Sequence, residues 1–226
     1  MFLYETHMHT SEGSECASAS GAEQAEHFKK AGYDGIIVTD HFFNGNSHIN
    51  FAYPNESWER KIDLFCLGYE NAKKRGDEIG LKVFFGFEFN FHSAEWLVYG
   101  LSPEFLKAHP EIMEMCPEDF LTLFRDNGAT VIQAHPFRDA PYVTGMRVFP
   151  KYVDGMEIYN AKNSERSNKV AEVFAEEFGL RECCGSDCHH GWDNELCAMG
   201  SEKELFSLGD ICEAFKSGRL ELIRHV

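Results

Sequence analysis

The sequence predicts a single α/β domain of barrel type, and three observations point there. Short apolar runs rich in β-branched and aromatic residues alternate with amphipathic stretches from one end of the 226 residues to the other. No Pro/Ser-rich linker or block of like charge divides the chain. No Gly-rich loop follows the first strand, so the nucleotide crevice of an open doubly wound sheet is not signalled and a closed, mostly parallel barrel is favoured.

Phe2 to His9 is the first strand, apolar at its start and polar at its end. Gly21 to Ala31 has helical spacing, with Ala22, Ala25, Phe28 and Ala31 on one side and Gly32 to close it. Gly35 to Asp40 is the second strand. Glu56 to Gly80 reads as one long amphipathic helix, and Lys82 to Phe91 and Trp96 to Leu101 as the third and fourth strands. Pro117 to Asn127 is a helix with Pro at its start and Gly128 past its end, leading into the fifth strand, Ala129 to Ala134. Gly155 to Tyr159, a helix from Ser164 to Phe178, and Glu182 to Ser186 repeat the theme. Leu208 to Ser217 is the last helix, and Leu220 to Ile223 a short closing strand or tail.

With 21 Lys+Arg against 37 Asp+Glu the formal charge is −16, which repels an extended phosphate backbone unless a metal or a local Arg inverts the field. Extended nucleic acid is therefore not an expected partner; a small phosphorylated molecule is compatible. No apolar run reaches the roughly 18 residues that span a bilayer. The opening residues MFLYETHMHT have no basic, then apolar, leader pattern, so the expectation is a cytoplasmic protein with its eight cysteines reduced. No CxxC pair occurs, which argues against a thiolate site at Cys183, Cys184 and Cys188.

The chemistry gathers where strands finish: His7 and His9, Asp40-His41, Glu88, His135, then Asp187 and His189. In a parallel barrel those ends share one face. His7 and His9 are two apart, so in a strand both rings project to the same side, and Asp187 and His189 repeat the spacing. Imidazole and carboxylate without thiolate is a ligand set for Zn, Mn or Fe, and a carboxylate can bridge two ions. Glu88 lies in the apolar frame Gly86-Phe87-Glu88-Phe89, where an unpaired charge would be costly, and is the bridging candidate. One His at a strand end is ordinarily a hydrogen-bonded structural residue; five strands ending this way are not so easily explained.

HMHTS at 7–11, VTDHF at 38–42, GFE at 86–88, AHPFR at 134–138, EIYN at 157–160 and GSDCHH at 185–190 resemble, in order, the motifs of the polymerase and histidinol phosphatase (PHP) family over nearly the whole chain. The resemblance implies a distorted (β/α)7 TIM-like barrel, two or three divalent ions (Zn, Mn or Fe) and, usually, hydrolysis of a phosphoester by a metal-activated water. Carried over residue by residue, His7, His9, Glu88 and Asp187 look like ligands of a first ion. Glu88 and His135 would hold a second, and His41 and His189 a third. Glu15 stands near the place of a further ligand, with Ser14 as the other choice, and His92 or Glu95 could complete the second position. Asp40 is expected to orient a ligand His. Arg138, leaving the same strand end as His135, is the expected catalytic cation on the phosphate; Asn160 and Arg166 are expected at the substrate.

Two other functions share these features. One is a non-catalytic module stabilised by metal. The other is an amidohydrolase-like C–N hydrolase, although no Lys ends a strand to serve it. The loops at 42–58 and 136–152 are the expected lids, with aromatics and Arg138 and Arg147 suited to a substrate that has a flat apolar part beside an anionic one.

Overall fold

Nine strands and eight α-helices alternate in the computed structural model, which describes residues 1–226. The strands are β1 (Phe2–Met8), β2 (Gly35–Val38), β3 (Lys82–Phe91), β4 (Ala94–Tyr99), β5 (Thr130–Ala134), β6 (Gly155–Asn160), β7 (Arg181–Gly185), β8 (Ala198–Ser201) and β9 (Glu221–Ile223). The helices are α1 (Gly21–Lys30), α2 (His48–Ala52), α3 (Trp58–Phe65), α4 (Leu67–Ile79), α5 (Pro103–Ala108), α6 (Pro117–Asp126), α7 (Glu165–Phe178) and α8 (Leu208–Lys216), with one 3-10 turn at Pro110–Met113. None is long and apolar enough to cross a membrane.

The strands form one sheet in the order β7-β6-β5-β4-β3-β2-β1-β8-β9, and it curls into a nearly closed barrel. At the closing seam the Asp187 N–H donates to the His7 carbonyl at 2.7 Å and the His9 N–H to the Cys188 carbonyl at 2.9 Å. Below that point β8 pairs antiparallel with Phe2–Tyr4 and holds β7 and β1 apart. The pairs β1/β2, β2/β3, β5/β6 and β6/β7 are parallel, so their C-terminal ends meet on one rim.

Two expectations need correcting. The barrel has nine strands, not seven: β9 is the short closing strand, and β8, with the weak signal Ala-Met-Gly-Ser, escapes a reading based on apolar runs. The span 56–80 is two helices that meet at Cys66, because they cover different surfaces. Ile62, Leu64 and Phe65 of α3 join the aromatic cluster of Phe42, Phe87, Phe89, Phe120 and Phe124, whereas α4 lies on α1.

The α1–α4 contact depends on small residues at helical spacing, Gly68, Ala72 and Gly76, all buried. A Cβ at Gly68 would stand 2.0 Å from Thr10 Oγ1 and 2.8 Å from Asp40 Oδ2. Alanine gains about 1 kcal/mol in a helix interior over glycine, but an overlap of this size against a side chain already fixed by two hydrogen bonds costs more. Gly68→Ala should therefore destabilise the protein by about 1–3 kcal/mol. Thermal denaturation checks it, and an unchanged or raised midpoint would show that α4 can shift away from Thr10 and Asp40 at little cost.

Candidate metal centre

The rim of the barrel is where these strand ends place their polar side chains. His7 and His9 leave β1 on one side, as alternation in a strand requires, and both are fully buried. Glu88 of β3, also fully buried, lies between them and two further rings. Its Oε1 is 3.4 Å from His7 Nε2 and 3.1 Å from His135 Nε2; its Oε2 is 3.6 Å from His9 Nε2 and 2.7 Å from His41 Nδ1. Asp187, just past β7, brings Oδ1 to 3.2 Å from His9 Nε2 and 3.5 Å from His7 Nε2. His9, His41 and His189 form a third group, with ligand nitrogens within 4.8 Å of one another. His135 and Asp187 have φ of +24° and +52°, a left-handed backbone unusual for residues other than glycine, at the two places where the chain turns to bring a ligand inward.

A surrounding set of acids orients these rings. Glu157 of β6 is fully buried: its Oε1 is 2.9 Å from His7 Nδ1, and its Oε2 accepts from the His135 N–H and the Asn160 side chain, both at 2.9 Å. The carboxylate holds the Nδ1 proton of His7 and leaves Nε2 to face the cluster. Asp40 accepts from Thr10 N–H and Oγ1 at 2.6 Å and from Ser14 Oγ at 2.7 Å, and Ser14 Oγ in turn lies 3.2 Å from His9 Nδ1. Asp40 thus reaches the His9 ring through Ser14. Burial pushes its carboxyl up to about 6 in spite of those three bonds.

Electrostatics follow from this packing. Burial disfavours a charged His7, yet Glu157, Asp187 and Glu88 outweigh it and raise the ring well above the usual imidazole range. Burial likewise opposes a charged His41, and Glu88 overrides it upward. Burial works against ionising Glu88 and Asp187 too, but His41 and His7 hold Glu88 far below its usual value, and His7 and Arg138 do the same for Asp187.

Of the residues picked out in the sequence, His7, His9, His41, Glu88, His135, Asp187 and His189 are brought together. Glu15 is not: its Oε2 pairs with His48 Nδ1 at 2.6 Å and both side chains are exposed. The next residue, Cys16, is exposed as well. Partial burial pushes its thiol up, but the nearby His189 and His41 rings bring it down to about 6. Between His92 and Glu95, Glu95 reaches the cluster, 3.6 Å from His135 Nε2. It does so because β4 runs antiparallel, so its first residues, not its last, lie at the rim beside Ala134 and Asn90. His92 is in the β3–β4 turn, its carbonyl accepting from Arg147. Arg138 pairs with Asp187 Oδ2 and donates to Asn160 Oδ1 at 2.9 Å and Asn163 Oδ1 at 3.0 Å. Asn160 also contacts Asp187 Oδ2, at 3.3 Å. Arg166 is exposed on the first turn of α7 and does not join them.

Glu157 has no role that its place in EIYN reveals, yet its frame Gly-Met-Glu-Ile-Tyr carries the same signal as Glu88: an acid in an apolar strand needs a buried partner. Glu157→Ala should lower metal affinity about 10–100-fold, the usual loss when a ligand His loses its orienting carboxylate. Metal titration checks it, and wild-type affinity would show that His7 is fixed by packing alone.

The donor set fits divalent cations. His7 Nε2, His9 Nε2, His41 Nδ1 and Glu88 Oε2 are all buried without a hydrogen-bond partner, four lone-pair donors converging where only a cation could satisfy them together. Residues 165–220 match the family described as PHP-associated. The whole chain superposes on a two-domain protein from Bacteroides vulgatus that contains a predicted PHP-like metal-dependent phosphoesterase. The TM-score is 0.72 at 16% identity, covering 99% of this chain and 65% of that one. In fold the chain is similar to that PHP-like protein. A candidate metal-dependent phosphoesterase from Bifidobacterium adolescentis is similar in fold at TM-score 0.60 and 14% identity, over 93% of this chain and 94% of its own. The lesion-specific endonuclease of Pyrococcus furiosus is similar at 0.58 and 12%, over 98% of this chain and 57% of its own. The chain thus spans less than two thirds of the length of the Bacteroides and Pyrococcus proteins. No curated protein matches it in sequence.

Proposed function

We propose that the protein hydrolyses a phosphoester, a phosphomonoester or short nucleotide, in a metal-dependent reaction at this rim. The carrying observation is the convergence of four unpartnered buried donors beside an arginine. His7, His9, Glu88 and Asp187 would hold one ion, Glu88, His135 and Glu95 a second, and His41 and His189 a third. Divalent ions there supply Lewis acidity and lower the pKa of a coordinated water. The remaining work falls to the chain. Glu157 and Ser14 keep His7 and His9 in the orientation that leaves Nε2 free. Arg138 presents a guanidinium whose Nη1 has only a 3.4 Å contact to the Tyr142 hydroxyl, so it can turn that edge to a phosphoryl oxygen while Nη2 stays on Asp187 and Asn160. Asn160 bridges Glu157 and Asp187 and keeps the two sides of the site in register.

The net charge of −16 favours a small substrate over a long polyanion. Protein loaded with Mn or Zn and given p-nitrophenyl phosphate, a panel of phosphorylated metabolites, short oligonucleotides and amide substrates should release phosphate from the small esters. Release of ammonia from the amides instead would select the C–N hydrolase. Metal-induced stabilisation with no turnover on any substrate would select the non-catalytic module.

A further inference from the structure

The loop 136–152, expected as a lid, is built as a frame around one aromatic residue. Gln133, fully buried in β5, holds its far arm: Nε2 donates to the Arg147 carbonyl at 2.6 Å and Oε1 accepts from the Phe149 N–H at 3.0 Å. Arg147 in turn donates to the His92 carbonyl in the β3–β4 turn at 2.7 Å, so it serves the frame. At the tip the Val143 N–H donates to the Ala140 carbonyl at 2.9 Å and closes a turn with Pro141 and Tyr142 at its centre, where proline presets the backbone. The Tyr142 hydroxyl lies 3.4 Å from Arg138 Nη1, while Nη2 of the same guanidinium holds Asp187 and Asn160. Side-chain exposure rises along this line, from 2% at Asp187 to 16% at Arg138, and Tyr142 at its outer end is 61% exposed. The ring therefore stands where the route from the metal centre opens to solvent.

We propose that Tyr142 selects the leaving group, and that the substrate is an aryl phosphomonoester whose flat ring lies against Tyr142 while Arg138 takes the phosphoryl group. The proposal rests on the phosphoester reading above and narrows its substrate class. A phosphoryl oxygen is a stronger acceptor for Arg138 Nη1 than a phenol, so it takes that edge over from the 3.4 Å contact. The inner side is closed by His7, Glu88 and Asp187, all buried, so the organic part of the ester extends outward, past Tyr142. A flat apolar ring there covers aromatic surface that is otherwise wet, and the aromatic pair adds to the burial. A small aliphatic group gains little of either, and a puckered one touches the ring with fewer atoms. Hydrolysis breaks the P–O bond to the aryl oxygen, with water supplying the new oxygen on phosphorus and the proton of the leaving phenol.

Equilibrium binding tests it without turnover, because a phosphonate carries a P–C bond that the reaction cannot break. Metal-loaded protein titrated by calorimetry, at a pH where both ligands are dianions, should bind phenylphosphonate about 3–10-fold more tightly than methylphosphonate. Tyr142→Phe should keep that ratio. Tyr142→Ala should bring it close to one and leave the methylphosphonate affinity as in the wild type, which separates lost stacking from a disturbed loop. Cyclohexylphosphonate, apolar but not flat, should bind the wild type more weakly than the phenyl ligand does. Equal affinity of the wild type for the phenyl and methyl ligands, a ratio that survives in Tyr142→Ala, a ratio lost in Tyr142→Phe, or cyclohexyl binding as tight as phenyl would each overturn the assignment and leave the phosphoester reading in place. Binding of neither phosphonate to the loaded protein would overturn both.

Discussion

Glu88→Gln should reduce metal-dependent hydrolysis by more than the roughly 10–100-fold that follows loss of an orienting residue, because Glu88 itself faces all four rings. The carboxamide keeps the shape and removes the charge that His7 and His41 rely on. Both Glu88 oxygens are enclosed, so no water replaces the lost charge. Removing one partner of a buried pair typically costs about 3–5 kcal/mol, and the metal-free variant should lose stability toward that range. Metal content per chain, thermal midpoint and phosphate release from the same preparation check the three parts. Wild-type metal content and turnover in the variant would mean that Glu88 is a structural ion-pair residue and that the chemistry lies elsewhere.

Removing metal should have the second largest effect. Saturation at about 1,000 times the dissociation constant stabilises a protein by about 4 kcal/mol. For a chain of this size each kcal/mol moves the midpoint by about 2–4 °C, so chelation should lower it by about 8–16 °C. The pH dependence has a definite sign. His7 and His41 are raised in the metal-free fold, so their contribution to its stability is fully present below the unfolded value of about 6.5 and is lost as pH rises through their folded values. Glu88 and Asp187 are depressed, so their contribution is present above about pH 4 and is lost as pH falls through their folded values. A cation must displace the two histidine protons. The gap between loaded and metal-free midpoints should therefore widen from about pH 6 to about pH 8, with protons released on binding. Melting curves with and without chelator across that range check it, and a gap that stayed constant or narrowed would contradict the proton competition.

Most of the ligand set was readable because strand ends are marked twice, by the stop of an apolar run and by the residue that follows it. Ile36-Ile37-Val38 ending at Asp40-His41 and Val131-Ile132-Gln133 ending at His135 are such places. Glu95 was only one of two choices for the opposite reason: it begins a strand, and it faces the site because that strand is reversed. Glu15 was preferred over Ser14, but the Glu15 N–H is tied to the Asn46 carbonyl and its acid pairs with His48 at the surface, whereas Ser14 Oγ reaches His9 and Asp40.

The order of apolar runs and the spacing of His, Asp and Glu by themselves determined an α/β barrel with a polar rim, because side-chain alternation and strand termination are local properties of the chain. The direction of β4, the wedge made by β8, the reach of Glu157 to His7 and the outward turn of Glu15 to His48 were decided only in the tertiary structure. Each depends on hydrogen bonds between segments far apart in sequence or on a loop conformation set by such bonds, and no local pattern encodes which distant group will be there to accept them.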